Sequence, residues 1–351
     1  MAYLPPSEQA EVKTYMQLAV YLALLRKTRM SDILKTGFLS LIILAFMACK
    51  GQRMALPQSG GRPYEVLIVG DTSHIIQNLL TKNMPGLPQL EPMFDVSSTG
   101  NSQLNATTQL TRAIVIVSVD KKKYAHTKVR YDYNVFASPQ IILYVYTPSA
   151  IALKRFLKKN GEKIIDLLVN EGMKTEISSL KLHHNAQAES VIKKQFGIDI
   201  LVPSTLVASK QGDNFVWLSE SGTSGASNLC VYITPQGSFL HTRDSVMKNN
   251  IPGEQRNMYM QTVGNSITRQ QLLAPNDTNT HSTSFLYRGL WEMKNDAMGG
   301  PFVARTLSFG NKTLTIEGFV YAPGQKKKNK LRQLEAVLYT LTTKQFEKNG
   351  K

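Results

Sequence analysis

The sequence predicts an α+β protein of two lobes, each a largely antiparallel sheet packed with helices. Three observations lead there. Apolar or alternating runs of strand length recur along the chain, and helical patterns gather at 149–196 and 327–343. An echo links the halves: Val145-Tyr146-Thr147-Pro148 and Val320-Tyr321-Ala322-Pro323 each end a strand and lead into a basic helix. Such a junction is also a common way into a helix, with Pro at the first turn. The chain has 351 residues, 42% of them hydrophobic and 19% charged, enough to bury a core and too apolar for a disordered segment.

Residues 63–196 form the first predicted lobe. Tyr64 to Val69 is a buried-strand run, Ala113 to Val119 a second and strongly apolar one, Val129 to Phe136 alternates, and Pro139 to Tyr146 is a third apolar strand. A helix is expected over 73–82. Another, over 149–170, is bent at Gly161, and a separate helical stretch follows at 173–196. Residues 197–351 form the second lobe, with strands at 205–210, 214–219, 228–234, 257–263, 283–293, 301–309 and 313–321. A short helix fits 239–249. In the closing helix Leu331, Leu334, Leu338 and Leu341 fall at i, i+3, i+7 and i+10, one apolar stripe.

The N-terminal 48 residues read as a leader. Phe38 to Ala48 is an eleven-residue apolar run preceded by Lys35, the length of a signal-peptide core and too short to span a bilayer. It ends in Phe46-Met47-Ala48-Cys49, which resembles the lipobox of bacterial lipoproteins, where cleavage precedes a cysteine that then carries lipid. Phe46 stands where leucine is usual. An earlier apolar stretch, Met16 to Leu25, fits either a true start at Met30 or a leader with two apolar blocks. Each buried methylene of an attached chain is worth about 0.8 kcal/mol, so a multiply acylated Cys49 would hold the protein on its membrane. Residues 49–62, with Pro57 and Gly60-Gly61, read as a tether. Cys230 in Leu229-Cys230-Val231-Tyr232-Ile233 is then the second cysteine, expected to be a buried, inert thiol.

Several segments carry a resemblance. They are Gly61-Arg62-Pro63-Tyr64-Glu65-Val66, Pro85-Gly86-Leu87-Pro88, His241-Thr242-Arg243-Asp244-Ser245-Val246-Met247, Arg288-Gly289-Leu290-Trp291-Glu292-Met293 and Asp296-Ala297-Met298-Gly299-Gly300-Pro301-Phe302. Over about residues 59–351 the chain resembles an uncharacterised family of Bacteroidota lipoproteins, defined only as a domain of unknown function. The resemblance implies a membrane-anchored protein facing the periplasm and supplies no catalytic residues.

Motifs for chemistry are sparse. The six histidines include no H-x-x-x-H, and neither C-x-x-C, G-x-S-x-G nor a phosphate-binding glycine loop occurs. Ser190-Val191-Ile192-Lys193 and Ser245-Val246-Met247-Lys248 match S-x-x-K without the partner motifs that give it meaning. No metal, cofactor or catalytic residue is assigned. The densest candidate site is Arg288 to Phe302, where Arg288, Trp291, Glu292, Asp296, Gly299 and Gly300 combine charge, a large ring and glycines that admit close backbone approach. Strand alternation puts Phe285, Tyr287, Gly289, Trp291 and Met293 on one face, and Leu286, Arg288, Leu290, Glu292 and Lys294 on the other. Without a ligand, the same segment is a hairpin with one core face.

The net charge is +16, of which +14 remains once residues 1–48 are set aside. Basic runs lie at Lys121-Lys122-Lys123, at Lys154-Arg155 with Lys158-Lys159, and at Lys326-Lys327-Lys328 with Lys330 and Arg332. On an anchored protein this favours an anionic lipid or envelope polymer as partner, with no nucleic acid. The expected function is a non-catalytic binding or assembly module. The alternative is an envelope hydrolase built on distant carboxylates, with Asp244, Glu292 and Asp296 as the candidates.

Overall fold

In the computed structural model, the described residues are 55–99, 104–220, 225–251, 253, 255, 257–272 and 284–342. Cys49 and the leader therefore lie outside them. The chain divides into two units, residues 1–56 and 57–351, and the elements below belong to the second.

The three apolar runs of the first lobe become β1 (Glu65–Val69), β3 (Ala113–Val119) and β5 (Ile141–Thr147). With β2 (Asp95–Thr99) and β4 (Lys128–Tyr133) they form a five-stranded sheet ordered β2-β1-β3-β5-β4. The α+β class and the two-sheet division stand. The strand direction expected for this lobe does not: β1 pairs parallel with β2 and β3, and β3 parallel with β5, while β4 and β5 form an antiparallel hairpin. The reason lies in the runs themselves. Continuous apolar strands, covered on both faces, are the mark of parallel sheets, whose crossovers hide both sides. Helix α1 (Ile75–Leu80) supplies one such crossover, from β1 to β2.

Helix α2 (Ala150–Leu182) is a single rod of 33 residues where the sequence suggested two pieces. The Ser149 side chain caps it, accepting the Ala152 N–H at 3.2 Å. Its glycines are notches. A Cβ at Gly161 would lie 3.0 Å from Leu79, and one at Gly172 would lie 2.3 Å from the Tyr64 ring. Close packing against a neighbour, not a helix break, explains both. The stretch from Ser59 is also tied down, with Ser59 N–H donating to Ser138 O at 3.2 Å and Gly60 N–H to Leu110 O at 2.8 Å.

The second sheet is antiparallel throughout. Its strands are β6 (Leu206–Gly212), β7 (Phe215–Glu220), β8 (Ala226–Pro235), β9 (Met260–Thr262), β10 (Thr268–Leu272), β11 (Ser284–Met293), β12 (Gly299–Phe309) and β13 (Lys312–Tyr321). They are ordered β10-β11-β12-β13-β8-β7-β6, with β9 beside the end of β11. Helices α3 (Ala186–Phe196) and α5 (Lys328–Tyr339) cover one face through Ile192, Phe196, Leu331, Leu334 and Leu338. Helix α4 (Phe239–Asn250) covers part of the other, over Tyr232, Trp291, Phe302 and Phe319. Helix α3, placed with the first lobe on sequence grounds, thus packs in the core of the second. The strand–Pro–helix echo occurs at both predicted junctions, β5 to α2 and β13 to α5. The two sheets otherwise differ in strand number and direction.

The lobes are pinned together by the third basic run. The Glu91 carboxylate, from the first lobe, accepts the N–H groups of Lys327 at 2.7 Å and Lys328 at 3.1 Å. Helix α5 has no capping side chain of its own, so a residue 236 positions away supplies the cap. Lys328 Nζ pairs with Asp95 at 2.8 Å, and the Arg332 guanidinium lies over the Tyr64 ring at 4.6 Å. Lys330 Nζ pairs with Glu220 at 2.7 Å within the second lobe. Lys327, Lys328 and Arg332 are buried, so a run that reads as a cationic patch is instead largely the joint.

Candidate ligand-binding site

The six residues singled out between Arg288 and Gly300 do not converge. Arg288 faces α5 and pairs with the buried Glu335 carboxylate. Trp291 faces α4, packed edge-on against Phe319 at 5.4 Å, with its indole N–H buried and without an acceptor. Strand alternation requires this split, since positions three apart on a strand point to opposite faces. Glu292 is exposed and accepts from Gln261 Nε2 at 2.7 Å, and the Asp296 side chain accepts the Ala297 N–H at 2.6 Å. Gly300 lets β12 approach β13, where a Cβ would lie 1.9 Å from Val320 O; Gly299 is close to Trp291 O, at 3.0 Å.

Beneath α4 lies a buried polar cluster. Arg243 donates through Nη2 and Nε to Glu317 at 2.7 and 3.0 Å and through Nη1 to Thr262 at 2.8 Å, and its guanidinium lies 4.1 Å from the Phe302 ring centre. Tyr232 Oη donates to the same carboxylate at 3.2 Å. Asp244 accepts from the Thr262 N–H and hydroxyl, and pairs with Arg243. Burial pushes the Glu317 carboxyl above the ordinary glutamate value, against the pull of Arg243. Burial also pushes up the Cys230 thiol, helped by Glu317, so this cysteine is the inert core thiol that its surroundings in the sequence suggest. Arg243 and Glu317 are fully enclosed, Asp244 stands at the partly exposed edge, and together they lock α4 to the sheet.

An open concavity of the second lobe lies beside it. Helix α4 is short, and its N-terminal residues form one wall. Large rings fill the space under the helix, but past its start β12 and β13 carry small hydroxyl residues that leave the sheet hollow. The resulting cleft has a volume of about 700 Å³. Its floor is Thr306, Ser308, Thr313 and Thr315, cross-strand neighbours in the register Thr306↔Thr315 and Ser308↔Thr313. Phe239, stacked on Tyr287 with ring centres 4.0 Å apart, and Phe285 add apolar walls. Arg269 stands at the rim, its guanidinium 4.0 Å from the Phe285 ring centre. Burial raises the Tyr287 phenol above its ordinary value, partly countered by Arg269.

Two features make this cleft the candidate site. Thr306 and Thr315 are only 4% and 2% exposed, yet among the described residues none of the four floor hydroxyls has a hydrogen-bond partner. Arg269 has no carboxylate partner among them either, and ring stacking holds it in place. The sequence did carry a trace: Thr306-Leu307-Ser308-Phe309 and Thr313-Leu314-Thr315-Ile316 alternate hydroxyl and apolar residues on facing strands. Among the described residues, no group of three or more His, Cys, Asp or Glu side chains could hold a metal ion. No described helix is long and apolar enough to cross a membrane.

Comparison with known proteins follows the same division. Residues 59–181 match one family described as a domain of unknown function (DUF8532), and residues 185–340 match another (DUF4837). The two meet at the turn between α2 and α3. No functionally curated protein matches the sequence. Among solved structures, the chain is similar to the cyanobacterial PsbP protein of Synechocystis at 11% identity and a TM-score of 0.27, covering 42% of this chain and 86% of that one. It is also similar to a protein of Bacteroides thetaiotaomicron at 14% identity and a TM-score of 0.18, covering 41% of this chain and 44% of that one.

Proposed function

We propose that this protein is a lipid-anchored, non-catalytic binding module of the cell envelope, attached through Cys49 and taking its ligand in the cleft beside α4. The observation that carries the binding role is the lining of that cleft. It offers unpartnered hydroxyls, apolar walls and one arginine, and its described lining holds no carboxylate, histidine, lysine or cysteine to serve as acid, base or nucleophile. Hydrolysis of a glycosidic bond needs two carboxyl groups within about 10 Å across the scissile bond. Asp244 is committed to Thr262 and Arg243, while Glu292 and Asp296 belong to the far end of β11 and its turn.

The lipobox-like Phe46-Met47-Ala48-Cys49 and its apolar run support the anchor. The exposed Lys121–Lys123 turn and the Lys154, Arg155, Lys158 and Lys159 side chains of α2 would face an anionic lipid surface or envelope polymer. The test is metabolic labelling with a tagged fatty acid, followed by membrane fractionation. Wild type should carry label in the membrane pellet, and Cys49→Ala should lose both label and pelleting. Label that survives Cys49→Ala overturns the anchor. Release of soluble fragments from envelope polymer by the purified full chain overturns the non-catalytic reading.

A further inference from the structure

We infer that the cleft beside α4 is a subsite for an acidic saccharide, with Arg269 holding the acidic group and the Thr306, Ser308, Thr313 and Thr315 floor holding sugar hydroxyls. This rests on the binding-module reading above and names its ligand class. The argument begins with the floor. Neighbouring strands lie about 4.8 Å apart, and same-face residues along a strand about 6.7 Å apart, so four side chains on β12 and β13 make a hydroxyl lattice on the scale of a sugar ring. Each hydroxyl both donates and accepts, as sugar hydroxyls do. Thr306 and Thr315 line the cleft, and no described group takes their side-chain hydroxyls, so a bound polyol can hydrogen-bond them.

The walls narrow the choice. An acyl chain would want an apolar floor, and this one is polar. A phosphate-rich ligand such as a nucleoside triphosphate would want several cations, and the described lining supplies one. A planar base would want an open ring face. Here one face of the Tyr287 ring is taken by Phe239 and one face of the Phe285 ring by Arg269, which reduces the ring surface open to a base. Arg269 is held by its ring contact and unpaired with any described carboxylate, so its N–H groups remain available to a carboxylate, sulfate or phosphate substituent. The net charge of the chain would draw the same ligand in.

The test is an array of uronate-, sialate-, sulfate- and phosphate-bearing oligosaccharides with their neutral counterparts, probed with the detergent-solubilised full chain. Hits are then titrated by calorimetry. At least one acidic glycan should bind, and its neutral counterpart should bind at least tenfold more weakly. Arg269→Gln should weaken the acidic glycan at least tenfold and so remove that preference. Thr306→Val and Thr315→Val should weaken both, with circular dichroism and melting temperature showing the fold intact. Equal binding of acidic and neutral partners, or indifference to Arg269→Gln, overturns the acidic assignment and leaves a neutral-sugar cleft. Absence of any glycan binding overturns the saccharide subsite altogether. Neither result bears on the anchor, which the fatty-acid labelling reads separately.

Discussion

Replacing Glu91 with alanine should loosen the joint between the lobes. The carboxylate is 2% exposed and receives two backbone N–H groups of α5, at 2.7 and 3.1 Å. A hydrogen bond to a charged group contributes about 1.5–3 kcal/mol, and loss of an N-cap alone costs about 0.5–2 kcal/mol. The two bonds share one carboxylate and one helix end, so they do not simply add; together they predict a loss of about 3 kcal/mol for Glu91→Ala. Glu91→Gln keeps one acceptor oxygen and loses the charge facing the helix dipole, for about 1 kcal/mol. Urea unfolding at pH 7, followed through Trp217 and Trp291, reads the global loss. Hydrogen exchange at Lys327, Lys328 and Leu331 reads the local one. A loss below about 0.5 kcal/mol for Glu91→Ala, or unchanged exchange at the start of α5, would refute the capping role.

Further outcomes follow from the same structure. Arg243→Met leaves Glu317 buried and unpaired and should cost about 3–5 kcal/mol, while Arg243→Met combined with Glu317→Leu should recover much of it, both read by urea denaturation. Burial raises the Glu176 carboxyl above its ordinary value of 4.5, only partly offset by Arg112. Its stabilising contribution is then present below pH 4.5 and lost as pH rises through the raised value, so Glu176→Gln should raise the melting temperature at pH 7 and leave it unchanged at pH 3.5. For Glu220 burial works upward, but hydrogen bonds from Lys330 and the Ser227 N–H outweigh it and hold the carboxyl below 4.5. That contribution is present above pH 4.5 and lost as pH falls through the lowered value, so Glu220→Gln should destabilise at pH 7 and cost little at the acid end. Gly172→Ala drives a Cβ into the Tyr64 ring and should cost about 1–3 kcal/mol in melting experiments.

Much of the fold was legible because its signals are local. The run Ala113 to Val119 is β3 to the residue, and the alternation along 285–293 puts Phe285, Tyr287, Trp291 and Met293 on one face of β11 and Leu286 on the other, as they stand. Strand direction in the first lobe was not legible from alternation, because direction depends on which strands become neighbours. β2 and β10 escaped notice for a simpler reason. Asp95-Val96-Ser97-Ser98-Thr99 and Thr268-Arg269-Gln270-Gln271-Leu272 are edge strands, half solvated, with too few apolar residues to mark a period. The third basic run misled by composition alone. Lys328 and Arg332 are buried because Asp95 and Tyr64, more than 200 residues earlier, come to meet them.

The site was the least legible part. Density of charged and aromatic residues drew attention to Arg288–Gly300, yet a strand divides such residues between two faces. The cleft is made by hydroxyls that look unremarkable one at a time and become a surface only when β12 and β13 align. Its cation, Arg269, arrives on an edge strand with a weak signature. What defines the cleft is a place where nothing large was put, and size patterns across strands are harder to see than motifs along one.

The cap across the joint also has a consequence in time. A chain made from its N-terminus presents Glu91 long before Lys327 and Lys328 exist, with 236 positions between the carboxylate and the first N–H that it receives. During that interval the first lobe holds an acid without its partner and a Tyr64 ring without its cation. A chain interrupted before residue 327 would keep both in that state and leave the second sheet without α5. The joint is thus closed last: Glu91 and Tyr64 gain their partners only once the late helix has been made.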